Sequence, residues 1–252
     1  MQADILAVLC GSLVGFILAL IGGGGSILAT PLLLYVVGLR DPHVVIGTGA
    51  LAVASNAFIN LASHARAGHV RWAVGAVFAF SGVCGAFIGS TLGKAVDGQR
   101  LLLAFAGLMV VVALLMLRPR QDRAAAAGGM DLRRSLGVGG TGLGVGLLAG
   151  FFGIGGGFLI VPGLILATRM PMIEAIGTSL LAVGAFGLTT ALNYAWSGLV
   201  DWPVAGEYIA GGILGGQFGL RAAVHLARQK HTLNRVFAGV ILVVAGYMLW
   251  RA

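Results

Sequence analysis

The sequence predicts an all-α membrane protein that crosses the bilayer several times and contains two tandem repeats of about 130 residues each. Hydrophobic residues make up 58% of the 252 residues and charged residues only 10%, with a mean hydropathy of +0.99. A soluble domain carries roughly 25% charged residues. Uncharged runs such as Ala73–Gly93 are long enough to cross the ~30 Å hydrocarbon core as helices. The same order of glycines, prolines and aromatic residues also occurs twice along the chain.

Eight membrane segments are predicted from the apolar runs, and two of them are interrupted by glycines. The interrupted segments cover 5–38 and 136–168, and the others cover 47–64, 73–93, 101–117, 175–196, 204–220 and 233–250. We assign residues 1–117 to the first repeat, 118–135 to a linker in the cytoplasm and 136–252 to the second repeat. Each repeat is then one glycine-broken hairpin followed by three transmembrane helices.

The duplication is visible residue by residue. In the interrupted segments, glycine, leucine and proline positions recur 131 residues apart: Gly22, Gly24, Gly25, Leu28 and Pro31 match Gly153, Gly155, Gly156, Leu159 and Pro162. Further on, the offset becomes 130 and the matches are Gly47-Thr48 with Gly177-Thr178, and Gly68-x-Val70-x-Trp72 with Gly198-x-Val200-x-Trp202. Repetition of this kind predicts two copies of one structural unit.

The distribution of Lys and Arg favours opposite orientations of the two repeats. If each interrupted segment folds back at its glycines, one side of the membrane holds 12 of the 16 basic residues: Arg66, Arg71, Arg118, Arg120, Arg123, Arg133, Arg134, Arg169, Arg221, Arg228, Lys230 and Arg235. If each crosses once, the residues divide equally. Cytoplasmic loops are enriched in Lys and Arg. We therefore predict inverted repeats in a multi-pass inner-membrane protein, with both termini outside the cytoplasm.

The glycine breaks are the candidate substrate site. Paired interruptions at matching positions of two halves are the best sequence indication of a transporter's binding site. Backbone N–H groups at the start of a helix attract anions, and glycine allows close approach to the backbone. We expect two such helix ends to face each other near the midplane. The break residues are Gly22, Gly23, Gly24, Gly25 and Ser26 in the first half, and Gly153, Gly155, Gly156 and Gly157 in the second. The alternative is that the glycines only allow close helix packing.

Uncharged polar side chains follow each break along one helix face. The candidates for substrate contact are Thr48, Asn56, Asn60, Thr178, Ser179 and Asn193. Such hydroxyl and amide groups suit an anion that must be released again, although hydrogen bonding between helices would also account for them. His64 lies at a membrane edge, where we expect a role in topology or a place at a cavity mouth; its equivalent is Tyr194.

Several other functions are disfavoured by the sequence. The net charge of +8 is explained by basic loops, so no nucleic-acid partner is predicted. The glycine runs are not followed by Lys-Ser/Thr, so they do not form a nucleotide-binding P-loop. We find no sequence cluster typical of a metal site, predict no cofactor and predict a protein that is not an enzyme. The partners expected are a small anionic substrate and the lipid bilayer, and the sequence leaves open whether the protein is a homo-oligomer.

The ordered, doubled motifs resemble the TauE/SafE family of sulfite exporters and related sulfur-compound permeases. The residues that carry the resemblance are Gly22–Pro31, Gly47-Thr48, Gly68-x-Val70-x-Trp72, Gly153–Pro162, Gly177-Thr178-Ser179 and Gly198-x-Val200-x-Trp202. The resemblance covers nearly the whole chain and implies a secondary transporter of sulfite, a sulfonate or a similar anion. The alternatives are a transporter of another small anion, such as a carboxylate, and a membrane assembly subunit that transports nothing.

Overall fold

The structure is a computed structural model that describes residues 2–22, 26–117, 132–153 and 157–226, together with the isolated positions 239, 242, 243 and 246. The described residues are helical throughout apart from short connections, which confirms the predicted all-α class. The helices are α1 (Gln2–Ile21), α2 (Ser26–Leu32, continued by the π-helical turn Leu33–Val37), α3 (Pro42–Arg66), α4 (Trp72–Lys94), α5 (Gly98–Leu117), α6 (Leu132–Phe151), α7 (Gly157–Thr168), α8 (Met172–Trp196) and α9 (Trp202–Leu226).

These bounds agree with the predicted segments, with two qualifications. The segment predicted at 233–250 lies outside the described residues, except for the isolated positions. Residues 132–135, which we assigned to the linker, already belong to α6. Leu and Arg favour helix, so the helix extends beyond the apolar run by which the sequence defined its start.

Local sequence signals set the ends of the central helix α3. The Asp41 side chain accepts a hydrogen bond from the backbone N–H of His43 at 2.8 Å, and Pro42 occupies the first helical turn. At the other end, Gly68 adopts φ +75° and the N–H of His69 donates to the carbonyl of His64 at 3.0 Å. This is the usual glycine-terminated helix end.

Four helices in the described part of the chain are long and apolar enough to cross a membrane. They contain the spans Asp4–Ile21, Pro42–Arg66, Trp72–Lys94 and Met172–Trp196. Shorter apolar helices lie at Ser26–Val37, Gly98–Val111, Ser135–Phe151 and Leu159–Thr168. Together they support a multi-pass membrane protein.

The helices pack in pairs, and each pair combines one helix of the first half with one helix of the second half. Helix α1 packs along α9, α4 packs along α6, and α3 packs against α8. Glycines allow the close approach: a Cβ at Gly15 would overlap the backbone of Gly212, and a Cβ at Gly146 would overlap the backbone of Gly82. Each pair therefore joins a helix of the first half to a helix of the second.

The contacts also fix the relative directions of the helices. On the α3–α8 pair, Gly47 meets Tyr194, whereas Ala54, further along α3, meets Gly187, which comes earlier on α8, so these two helices are antiparallel. Helices α1 and α3 run in the same direction, because the end of α1 at Ala19 contacts the end of α3 at His64. The segment Ser26–Val37 between them therefore runs back toward the side from which α1 starts.

Candidate functional site

The first residue of each glycine break has the same unusual backbone conformation. Gly22 follows α1 with φ +72°, and Gly153 follows α6 with φ +66°. L-amino acids with a side chain avoid this left-handed region, and glycine does not. The predicted site residues Gly23, Gly24, Gly25, Gly155 and Gly156 lie outside the described residues. Ser26, which is fully buried, and Gly157 begin the helices that follow the breaks.

Each break packs on the Gly-Thr motif of the opposite half. A Cβ at Gly22 would lie 2.6 Å from the Ser179 hydroxyl oxygen and 3.1 Å from the Ile176 carbonyl oxygen. A Cβ at Gly153 would overlap the side chain of Ile46, which is equivalent to Ile176 in the repeat. Neither glycine could carry a side chain without displacing its neighbour.

The threonines of the two motifs make the same hydrogen bond. The Thr48 Oγ1 accepts from the backbone N–H of Asp201 at 2.9 Å, and the Thr178 Oγ1 accepts from the backbone N–H of Arg71 at 2.9 Å. Both threonines are fully buried. The bond of Thr178 holds the turn before α4 against the second half, and the bond of Thr48 holds the turn before α9 against the first half. Each of these predicted site hydroxyls therefore already accepts one hydrogen bond from the protein. Ser179 likewise donates its hydroxyl to the Ile176 carbonyl at 2.7 Å.

The predicted site residues form two groups rather than one. Gly22, Thr178 and Ser179 lie at the level of His64, whereas Gly153 and Thr48 lie at the level of Ile46. Ile46 and His64 are about 27 Å apart along α3 at 1.5 Å per residue. The described ends of the two breaks are thus at opposite ends of the α3–α8 pair and do not face each other. Gly22 and Gly153 each follow the end of a long helix, α1 or α6, so each lies at the end of that helix and not at its middle.

Between the two groups, α3 carries buried amides with polar atoms that lack a hydrogen-bond partner in the described part of the chain. Asn56 lies near the middle of α3, is 1% exposed, and neither its Nδ2 nor its Oδ1 has a partner among the described residues. One turn later Asn60 is 3% exposed and its Nδ2 is likewise without a partner there. The side chains lie over α9, where a Cβ at Gly212 would overlap the Asn56 amide and a Cβ at Gly216 would overlap that of Asn60. Buried polar groups are normally paired, so these two amides call for a ligand or water.

Asn193 is separated from these amides. Its Oδ1 accepts from the Lys94 ammonium at 2.8 Å, and its Nδ2 donates to the hydroxyls of Ser90 at 2.7 Å and Thr91 at 3.0 Å. It also borders a groove of about 430 Å³ between α4 and α8, whose other lining residues are Phe87, Thr189, Leu192 and Trp196. The Lys94 ammonium comes within reach because α4 ends beside the end of α8, a relationship that the sequence does not reveal.

His64 lies near the end of α3, on the same helix face as the two amides, and is buried in the helix bundle. It follows Asn56 and Asn60 at the same four-residue spacing, and its ring is fully buried. Its Nε2 lies 3.1 Å from the Ala19 carbonyl oxygen, and its Nδ1 has no partner among the described residues. Tyr194 is fully buried at the equivalent position of the second half, and its hydroxyl is also without a partner there. The regular spacing was the sequence signal that could have identified His64.

Comparisons with known proteins agree on one family. The family model described as "Sulfite exporter TauE/SafE" matches residues 7–248. A "Probable membrane transporter protein" of Xylella fastidiosa is 55% identical over 252 residues, which covers 100% of this chain and 97% of that protein. The "Probable membrane transporter protein YunE" of Bacillus subtilis is 25% identical over 268 residues, which cover 98% of this chain and 97% of that protein. No solved structure matches the chain.

Proposed function

The chain belongs to the TauE/SafE sulfite exporter family and is a membrane transporter, and we propose that it moves a small sulfur-containing anion, such as sulfite or a sulfonate, across the inner membrane. The sulfur anion is proposed because the matching family is described as sulfite exporters. A secondary transporter of this kind needs a polar site in the membrane that binds its substrate and then releases it.

The Asn56 amide is the observation that carries the proposal. It is a buried polar group near the middle of a membrane-spanning helix, and both of its polar atoms lack a partner among the described residues. An unpaired buried amide costs roughly 1–3 kcal/mol. Binding a substrate would recover that free energy, because an anion accepts a hydrogen bond from Nδ2. We therefore propose that the anion is held near the midplane at Asn56 and Asn60.

In this proposal the glycine breaks are the two ends of the substrate path. Gly22 and Gly153 lie at opposite ends of the α3–α8 pair, and each leads into a new helix whose first N–H groups attract an anion. The anion is then proposed to be guided toward and away from the central amides by the break glycines and by five polar side chains: Ser26, Thr48, Thr178, Ser179 and Asn193. This arrangement replaces the single site formed by two facing breaks that the sequence led us to expect.

We also propose that the two halves are inverted repeats. The reciprocal bonds of Thr48 and Thr178 support this, because a two-fold relation makes residue i contact j while the equivalent of j contacts the equivalent of i. The antiparallel α3–α8 pair supports an axis in the membrane plane. The uneven distribution of Lys and Arg supports an orientation in the membrane with the linker in the cytoplasm and both termini outside.

Transport by purified protein in proteoliposomes tests the function. We expect flux of radiolabelled sulfite, thiosulfate or methanesulfonate and none of choline. Flux of acetate alone would identify a carboxylate transporter, and no flux of any anion would support a role in membrane assembly instead. Either outcome contradicts the proposal of a sulfur anion.

The variants Asn56→Leu and Asn60→Ala test the site. Losing a hydrogen bond to a charged oxygen costs about 1.5–3 kcal/mol, which lowers affinity roughly tenfold or more. Ser55→Ala is the matched control, because the Ser55 hydroxyl already donates to the Leu51 carbonyl at 3.0 Å. If Asn56→Leu binds and transports as well as wild type and unfolds at a higher temperature, the amides serve only packing.

A further inference from the structure

The neighbours of His64 fix which of its ring nitrogens carries a proton. A backbone carbonyl can only accept a hydrogen bond, so the Nε2 that lies 3.1 Å from the Ala19 oxygen must be the donor. In the neutral ring, Nδ1 is then the nitrogen with a free lone pair. That lone pair is buried and has no hydrogen-bond partner among the described residues.

His64 is also distinguished by charge. The buried polar side chains in the described part of the chain are otherwise hydroxyls and amides: Ser26, Thr30, Thr48, Asn56, Asn60, Ser90, Thr178, Ser179 and Thr190. Among these residues, His64 is the buried side chain that can become a cation. It lies against the last turn of α1, and the carbonyl end of a helix favours a positive charge.

Among the described residues, the other titratable groups on the elements that pack around His64 are a second histidine, the Arg71–Glu174 ion pair and exposed or distant side chains. The ring of His69, in the turn after α3, has its centroid 5.8 Å from that of His64. Arg66 on α3 and Arg221 on α9 are exposed. On α1, Asp4 and Cys10 lie at least two turns before Ala19. A positive charge on His64 would thus sit on the same polar stripe as Asn60, one turn away.

We propose that His64 binds the proton that is transported with, or exchanged for, the anion. This inference rests on the proposed function. A proton from water adds to the Nδ1 lone pair and forms the imidazolium ion; on release the N–H bond breaks and the pair returns to Nδ1. A buried ion without a partner of opposite charge is destabilising, so the positive charge gained by His64 favours binding of the anion nearby. Tyr194 at the equivalent position has no basic lone pair of this kind, so the proton is bound by the first half.

Nuclear magnetic resonance of protein labelled at its histidines tests proton binding directly. The signal missing from His64→Gln identifies His64. We expect that signal to titrate reversibly within the range from about pH 5 to pH 8, and we expect its neutral form to carry the proton on Nε2. Addition of methanesulfonate, which stays ionised throughout, should shift the titration to higher pH. A His64 signal that stays neutral over the whole range would overturn the proposal.

Transport by the same variant tests coupling. Glutamine can still donate to the Ala19 carbonyl but cannot take up a proton. We expect His64→Gln to lose accumulation of sulfite and methanesulfonate driven by a pH gradient and, at equal pH, to exchange these anions at a rate that no longer depends on pH. His43→Gln, at the opposite end of α3, should keep both activities.

Two outcomes separate this proposal from the proposed function. Gradient-driven accumulation by His64→Gln at the wild-type rate would refute the proton role and leave anion transport standing. Wild-type protein that exchanges neither anion would refute anion transport, and the coupling role of His64 would be refuted with it.

Discussion

Thr48 and Asp201 are joined by a hydrogen bond of 2.9 Å between a side-chain oxygen of the first half and a backbone N–H of the second. The bond between Thr178 and Arg71 has the same length and the opposite direction across the two halves. Both lie where a Gly-Thr motif enters the centre of the bundle. These two threonines therefore tie the halves together, in addition to any role toward substrate.

Thr48→Val and Thr178→Val should destabilise the protein by similar amounts. Each removes the acceptor of a partly buried backbone N–H, which costs about 1 kcal/mol. Valine keeps the shape of threonine, so packing changes little. Thermal unfolding in detergent measures the effect, and Thr48→Ser and Thr178→Ser should restore stability. Unchanged unfolding temperatures in both valine variants would show that these bonds do not hold the halves together.

Gly146→Ala should weaken the α4–α6 pair, whereas Gly144→Ala on the same helix should not. A Cβ at position 146 would lie 2.6 Å from the Gly82 Cα, but one at position 144 meets no atom within 4 Å. We expect a loss of about 1–3 kcal/mol for the first, as for other overpacked sites. The second should gain up to about 1 kcal/mol from helix propensity. Equal unfolding temperatures of the two variants would contradict the close packing of these helices.

Gly22→Ala and Gly153→Ala should reduce transport and stability more than Gly68→Ala. All three glycines have positive φ, between +66° and +75°, and a side chain in that conformation costs about 1–2 kcal/mol. Only the two break glycines also meet the opposite half, whereas position 68 is open. Anion flux and unfolding temperature should be measured together. If Gly68→Ala lowers flux as much as Gly22→Ala, backbone strain alone explains the result.

Cysteine labelling should place the two equivalent helix turns on opposite sides of the membrane. In a background without Cys10 and Cys84, we expect Ser197→Cys to react with a membrane-impermeant maleimide in intact cells. Ala67→Cys should react only after the membrane is made permeable, because the basic residues near it predict the cytoplasmic side. Reaction of both variants in intact cells would rule out inverted repeats. Reaction of Ala67→Cys alone would keep the repeats but reverse their orientation.

Local sequence was sufficient for the positions of the helices and of their interruptions. Apolar runs predicted a segment at 47–64, where α3 covers Pro42–Arg66. The glycines that interrupt the apolar runs predicted breaks at Gly22 and Gly153, where positive φ is found. These features depend on hydropathy and on backbone sterics, which each short stretch carries by itself. The repeat was likewise readable, because equivalent residues keep a constant offset along the chain.

Only the tertiary structure decided which residues meet. Periodicity assigns a side chain to a face of its helix but does not identify the helix that covers this face. Asn56 and Asn193 were predicted on equivalent kinds of stripe, yet Asn56 lies over a glycine of α9 and Asn193 is held by Lys94. The spacing of His64 assigns it to the helix face of Asn56 and Asn60, but its burial comes from the end of α1, far away in sequence. Such contacts depend on which helices of the two halves pack together, which is a property of the whole chain.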